Sequence, residues 1–212
     1  MKIALMNEFS QASKNAVVLQ QLKDVAAEQN HTVYNVGMSD DNDHYLTYIH
    51  LGIMASLLLN SKAVDFVVSG CGTGQGALMS LNAHPGVVCG YCIDPSDAYL
   101  FAQINNGNAL ALPFAKGFGW GAELNIRYIF EKAFGGVRGQ GYPAERKESQ
   151  VRNAGILSSV KNALTKEYLE GLKSLDPELV KTAVTGERFQ ACFFENCQDK
   201  TVLEFVNGVL GR

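Results

Sequence analysis

Val67-Val68-Ser69-Gly70-Cys71-Gly72-Thr73-Gly74-Gln75-Gly76 joins a β-branched run to four glycines at alternate positions, and the helix-forming run Ala77-Leu78-Met79-Ser80-Leu81 follows. A short apolar run such as residues 64–68, broken only by Asp65, is what a strand buried on both faces requires. Strand, glycine turn and helix start together aim free backbone N–H groups at an anion, at the positive end of a helix dipole. Cys71 lies at the mouth of this turn. Free cysteine is usually inert packing. A thiolate beside a helix N-terminus, however, is stabilised and serves as a base or nucleophile.

On either side of the turn the same grammar repeats: a short β-rich run, a turn, an amphipathic run. Residues 2–6 read as the first strand, and Val18, Leu22, Val25 and Ala26 as one face of the helix after it. Residues 32–36 return as a strand. Asp40-Asp41-Asn42-Asp43 is a polar turn suited to start a helix over residues 45–59, whose apolar content requires deep burial or a subunit contact. Residues 87–93 form a fourth strand ending at Asp94-Pro95-Ser96-Asp97, where Ser96 or Asp97 caps a helix running through residues 100–104. Asn105-Asn106-Gly107-Asn108 stops that helix, and residues 109–114 give a fifth strand.

A helix over residues 122–134 is expected to turn Leu124, Tyr128 and Ile129 inward. The glycine-rich stretch 135–143 then reads as a flexible hinge, dividing the chain into a domain of residues 1–143 and a mainly helical C-terminal extension of residues 144–212. In the extension Val160, Ala163, Leu164, Tyr168 and Leu172 recur at helical spacing, and Asp176-Pro177-Glu178 starts another helix. Residues 190–194 fit a short strand or a helix. Phe193, Phe194 and the single Trp120 read as core or interface residues.

Composition narrows the function. With 212 residues, 47% hydrophobic, there is enough apolar side chain for a full core. The 18 Lys and Arg against 21 Asp and Glu include no basic block able to follow a phosphate backbone, which argues against nucleic acid as a partner. No apolar run approaches the roughly 20 residues that span a bilayer, and no signal-peptide pattern opens the chain, so a cytoplasmic protein away from membranes is expected. Five cysteines, an odd number, then read as reduced thiols.

Ligands of such sheets sit outside the carboxyl ends of the strands. Asn7 and Glu8, Cys71 to Gly74 and Asp94 follow strands, and Asn105 and Asn108 are expected close to that same rim. Convergence of this kind points to a site without saying what the site does.

The turn Gly70-Cys71-Gly72-Thr73-Gly74 with Gly76, the run Asn82-x-x-Pro85-Gly86, the pair Cys92-x-Asp94 and Asn105-x-x-Asn108 resemble the ribose 5-phosphate isomerase B / galactose 6-phosphate isomerase family over residues 1–138. The resemblance implies a Rossmann-like three-layer α/β fold with a five-stranded, mostly parallel sheet. It also implies a homodimer with active sites at the interface, and aldose–ketose isomerisation of a sugar phosphate without metal or cofactor. By resemblance Cys71 is the base, Gly72, Thr73 and Gly74 hold the developing oxyanion, and Glu8, Asp94 and Asn105 contact the sugar. Arg138, with Arg146 as a second candidate, falls where the family places phosphate-binding arginines, whose forked donors suit phosphate.

Two departures stand out. Glu8-Phe9 occupies the place of an Asp-His pair, and Ile93 that of a histidine tied to sugar-ring opening. Either another residue opens the ring or the substrate is already open-chain. The remaining histidines, His31, His44, His50 and His84, read as surface or packing residues; His44 is the best placed for the site, with Tyr45 beside it.

Two other readings compete. Gly72-x-Gly74-x-x-Ala77 with Asp94 satisfies a loose dinucleotide fingerprint, although such a turn normally follows the first strand. A sugar-phosphate-binding protein without isomerase activity is the other. Cys89, Cys92, Cys192 and Cys197 lack the spacing of a zinc site.

Overall fold

The computed structural model describes residues 1–212. Its strands are β1 (Lys2–Asn7), β2 (Thr32–Asn35), β3 (Phe66–Cys71), β4 (Cys89–Tyr91) and β5 (Ala109–Pro113). They form one sheet in the order β2-β1-β3-β5-β4, with every pair parallel. The uninterrupted apolar runs take the centre: β3 and β5 are buried along their whole length. The edge strands β2 and β4 are short, which limits the unpaired backbone a sheet edge exposes. β4 is shorter than residues 87–93 because asparagines take over the pairing. Asn108 Oδ1 accepts from the Val88 amide at 2.8 Å, and Asn82 brackets Cys89 at 2.8 and 3.0 Å.

One face of the sheet is covered by α1 (Asn15–Glu28) and α5 (Ala122–Phe134). Val18, Leu22, Val25 and Ala26 of α1 are buried as the periodicity requires. In α5 the inward stripe is Ile126, Ile129, Phe130, Ala133 and Phe134, while Leu124 and Tyr128 are 51% and 47% exposed. Both stripes satisfy helical spacing, and the one carrying two phenylalanines wins because it removes more apolar area from water. The opposite face carries α2 (Tyr48–Asn60) and α3 (Gln75–Asn82). α2 starts at Tyr48, capped by Thr47, whose amide donates to His50 Nδ1 at 2.9 Å, so the acidic turn 40–43 does not cap it.

β4 leads into α4 (Pro95–Leu100), which continues as a π-helical turn, Phe101–Asn105, ended by Asn106 in the left-handed region at φ 47°. Its cap is Asp94 rather than Ser96 or Asp97: Asp94 Oδ1 accepts from the Asp97 amide at 3.0 Å. The glycine-rich stretch 135–143 is pinned rather than flexible. Gly139 and Gly141 donate to the Ala102 and Gln103 carbonyls at 2.9 and 3.0 Å, acceptors lying in the π-helical turn.

The extension is helical: α6 (Lys147–Leu164), α7 (Tyr168–Lys173), α8 (Pro177–Thr185), α9 (Glu187–Asn196) and α10 (Lys200–Leu210). The stripe through Val160 and Leu172 is divided between α6 and α7. α6 buries no residue, and its Val160 and Leu164 are 46% and 82% exposed. Residues 190–194 are helical, and Phe189 and Phe193 of α9 lie in the same apolar cluster as Met6, Val67 and most of α2. Trp120 is exposed in a loop, not part of the core. No helix is long and apolar enough to cross a membrane.

Candidate active site

β1 connects to β2 on one side of the sheet, and β3 lies on the other. Such a reversal opens a crevice at the carboxyl ends of the strands. Asn7 and Glu8 leave β1 there, and Cys71 ends β3.

The glycine turn is built by close contacts. Gly74 takes φ 75° as the residue before α3, and a Cβ on it would lie 2.6 Å from the Tyr91 ring and 3.0 Å from the Leu112–Pro113 backbone. Tyr91 also donates its hydroxyl to the Thr73 carbonyl at 3.0 Å, which locks the turn from the β4 side. Gly76 admits the Tyr48 ring, which a Cβ there would meet at 3.1 Å. The amides of Gly72, Thr73 and Gly74 donate to no atom of the chain, whereas the Gly72 carbonyl accepts from Ala115 at 3.0 Å. Thr73 is exposed and its Oγ1 accepts from the Gln75 amide at 3.3 Å, so its proton can point outward. Cys71 is 7% exposed beside these amides. A reduced thiol, free amides and a hydroxyl thus lie around one turn, groups whose chemistry suits proton transfer and the holding of an anion.

Gly74→Ala is expected to lower stability by about 2 kcal/mol, through backbone strain and the clash with Tyr91. A urea titration against wild type measures it, and an unchanged midpoint would mean that the turn is not constrained as described.

Glu8 is 2% exposed and turned onto Ser10, whose amide and hydroxyl donate to it at 3.0 and 2.5 Å. It shapes the start of the 3-10 helix Phe9–Lys14, and behind it Asn7, Asn15 and Asn35 form a buried amide network. Asp94 reaches the same rim as a helix cap. The Ser96 hydroxyl at 2.6 Å and then the Asp97 amide hold its carboxyl below the ordinary range. Residues 7–11, 71–76, 91–97 and 113–118, which end or follow strands at this edge, contain neither arginine nor histidine.

Asn105 and Arg138 are elsewhere. β5 starts opposite Val67, so the residues preceding it lie at the edge where strands begin, away from Cys71. Asn105 is exposed there, and Asn108 is committed to Val88 and Gly86. Arg138 packs its guanidinium 4.5 Å from the centre of the Phe66 ring and donates to the Gly107 carbonyl; burial lowers its pKa to about 10. In this chain it closes the bottom of the core. Arg146 is exposed at the end of a 3-10 turn, Ala144–Arg146. His44 is bound through Nε2 to the Thr182 carbonyl of the extension, while Tyr45 stacks on Phe9 at 5.0 Å and stays at the rim.

Cys89, Cys92 and Cys192 are buried packing groups, and Cys197 is half-buried. Burial pushes Cys89 and Cys192 up to about 12 and Cys92 upward as well. No three His, Cys, Asp or Glu side chains are grouped as metal ligands. The dinucleotide reading fits less well, since its turn follows β3 rather than β1.

Residue 188 gave no signal in the sequence. Arg188 of α9 donates to the Gly37 carbonyl at 2.7 Å, to Ser39 Oγ at 2.7 Å and to Asp43 Oδ2 at 2.5 Å, behind the loop that carries Tyr45.

Comparison with known proteins places this geometry. A family model described as Ribose/Galactose Isomerase matches residues 3–134, and one described as Ribose-5-phosphate isomerase matches residues 163–209. A solved structure of ribose-5-phosphate isomerase from Vibrio parahaemolyticus is 66% identical, with 99% of each chain covered and a TM-score of 0.97. That of a 4-deoxy-L-threo-5-hexosulose-uronate ketol-isomerase complexed with a tartrate is 50% identical, with 100% of each chain covered and a TM-score of 0.98. The type B ribose 5-phosphate isomerase of Trypanosoma cruzi, 16% identical, covers 77% of this chain and 98% of its own, with a TM-score of 0.66, and shares the fold. No curated protein matched. The chain belongs to the ribose/galactose isomerase family and is a sugar isomerase.

Proposed function

We propose that the enzyme interconverts an aldose and a ketose through an enediolate, with Cys71 as the base. The observation that supports this is the buried thiol at the end of β3 next to the unpaired amides of Gly72, Thr73 and Gly74. The thiolate takes the C2 proton of the aldose, and the electron pair moves through C1 onto the carbonyl oxygen. The amides and the Thr73 hydroxyl hold that charge. Return of the proton to C1, with the hydroxyl proton passing from O2 to O1, releases the ketose. Glu8 and Asp94 act at the substrate end as shaped carboxylates of the rim.

The substrate class implied by the family is a sugar phosphate of the ribose 5-phosphate/ribulose 5-phosphate type. A second reading is favoured by a specific observation: with Glu8-Phe9 and Ile93 in place of the family's histidines, the rim segments hold no imidazole to open a sugar ring and no guanidinium for a phosphate, Lys116 being their one cation. A 4-deoxy-5-ketouronate, the substrate class named for the 50% identical relative, has no hydroxyl on C4 or C5 to close a hemiacetal ring on C1. It needs no ring opening and ends in a carboxylate. With ribose 5-phosphate and 4-deoxy-L-threo-5-hexosulose uronate tested side by side, the second reading expects kcat/KM to favour the uronate by about 100-fold or more. Comparable or faster turnover of ribose 5-phosphate would restore the first. No C2-proton exchange with either would leave a binding protein.

A homodimer belongs to the same proposal. Ile156, Leu157 and Leu164 on α6 are 55%, 61% and 82% exposed, an apolar set with no cover in this chain. Across such an interface the exposed Asn105 of one protomer would serve the site of the other, and Arg138 would reach a substrate there only by leaving Gly107. The reduced cysteines agree with a cytoplasmic location.

A further inference from the structure

The loop of residues 37–47, between β2 and α2, leaves the sheet at the carboxyl ends of the strands and lies against the rim segment that follows β1. On its inner side the Met38 amide donates to the Asn7 carbonyl at 2.9 Å, and the Phe9 amide donates to the Leu46 carbonyl at 2.9 Å. Tyr45, 55% exposed, rests on Phe9, next to Glu8. Within the loop the Asp43 carboxylate gathers the Ser39 amide and hydroxyl at 2.5 and 2.8 Å and the Asp40 amide at 3.2 Å. The outer side of the loop is held by the extension. Arg188 spans Gly37, Ser39 and Asp43, and the Thr182 carbonyl takes His44. Burial pushes the Asp43 carboxyl up, but the Ser39 hydrogen bonds and the Arg188 guanidinium outweigh it and hold the pKa at about 2. The tie therefore stays charged through the neutral range.

Resting on the isomerase reading above, we propose that Arg188 is a positioning residue for substrate: acting through Asp43 on the loop of residues 37–47, it sets where Tyr45 stands at the rim of the Cys71 site. This gives the extension a task in the reaction besides covering α2. A guanidinium suits it because three acceptors in different directions need a planar fork, which an ammonium on a flexible stem does not provide.

The test is steady-state kinetics of Arg188→Gln, Arg188→Lys, Asp43→Asn, Tyr45→Ala and the double variant Arg188→Gln/Tyr45→Ala, on whichever of the two substrates wild type turns over. Arg188→Gln is expected to raise KM about fivefold or more with kcat within about twofold, and Arg188→Lys to recover part of the loss. If Arg188 acts through Tyr45, the double variant raises KM no further than Tyr45→Ala alone. Wild-type KM in Arg188→Gln, or additive effects in the double variant, would overturn the proposal. Should Arg188→Gln fail to fold, Asp43→Asn carries the same expectation and the same refutation. A wild-type enzyme inactive on both substrates overturns the isomerase reading itself, which distinguishes that failure from this one.

Discussion

Cys71→Ala is expected to lower kcat by about 10³-fold and to abolish exchange of the substrate C2 proton with deuterated buffer, followed by NMR. The variant removes one sulfur atom from the end of β3 and leaves the backbone of the turn as it is, so the cradle of amides persists without its base. Substrate should still bind, because Gly72, Thr73 and Gly74 act through backbone and hydroxyl groups that the substitution does not touch. Cys71 also borders the apolar cluster under α2, so a loss of about 1 kcal/mol in stability accompanies the change, small enough for a folded protein. Retained exchange in a folded Cys71→Ala protein would remove the thiol as base and shift attention to Glu8, the buried carboxylate of the same rim.

The second large effect concerns the extension. Phe193→Ala is expected to cost about 3–5 kcal/mol. Its ring is 0% exposed, stacks on Phe189 at 5.6 Å with an interplanar angle of 11°, and meets Phe194 edge-on at 5.3 Å. These rings belong to the cluster that contains Met6, Val67 and the buried face of α2, so a cavity at Phe193 is felt by the sheet. We expect the variant to melt in one transition about 10 °C or more below wild type, read by circular dichroism and by calorimetry. Two separate transitions, with the sheet melting unchanged, would make residues 144–212 an independent unit instead.

The features read correctly were those fixed by short segments. β3 and the turn after it were legible because β-branched residues buried on both faces leave no polar alternation, and because alternate glycines leave few conformations besides a tight turn. α1 was legible because its four apolar positions define a single stripe. Where two stripes fit, the choice failed: Leu124 and Tyr128 face water because Phe130 and Phe134 meet Phe66 and α1. The candidate site was partly legible for the same reason. Glu8, Cys71 to Gly74 and Asp94 all follow parallel strands and so reach one rim, whereas Asn105 precedes β5 and cannot. The cap of α4 is a neighbour of the two residues expected from the sequence: Asp94, rather than Ser96 or Asp97, fills the position, and its Oδ1 takes the Asp97 amide.

By itself the sequence determined the alternation of strands and helices, the glycine turn with its thiol, and the absence of histidines at two expected places, because each of these depends on backbone freedom or side-chain chemistry within a few residues. Tertiary structure alone decided which rim each residue joins, that the extension and the sheet share one core, and that Arg188 holds a loop 145 residues away in the chain at Asp43. Those outcomes depend on which distant surfaces bury each other and which distant charges meet. Such pairings leave no periodicity in the residues that make them.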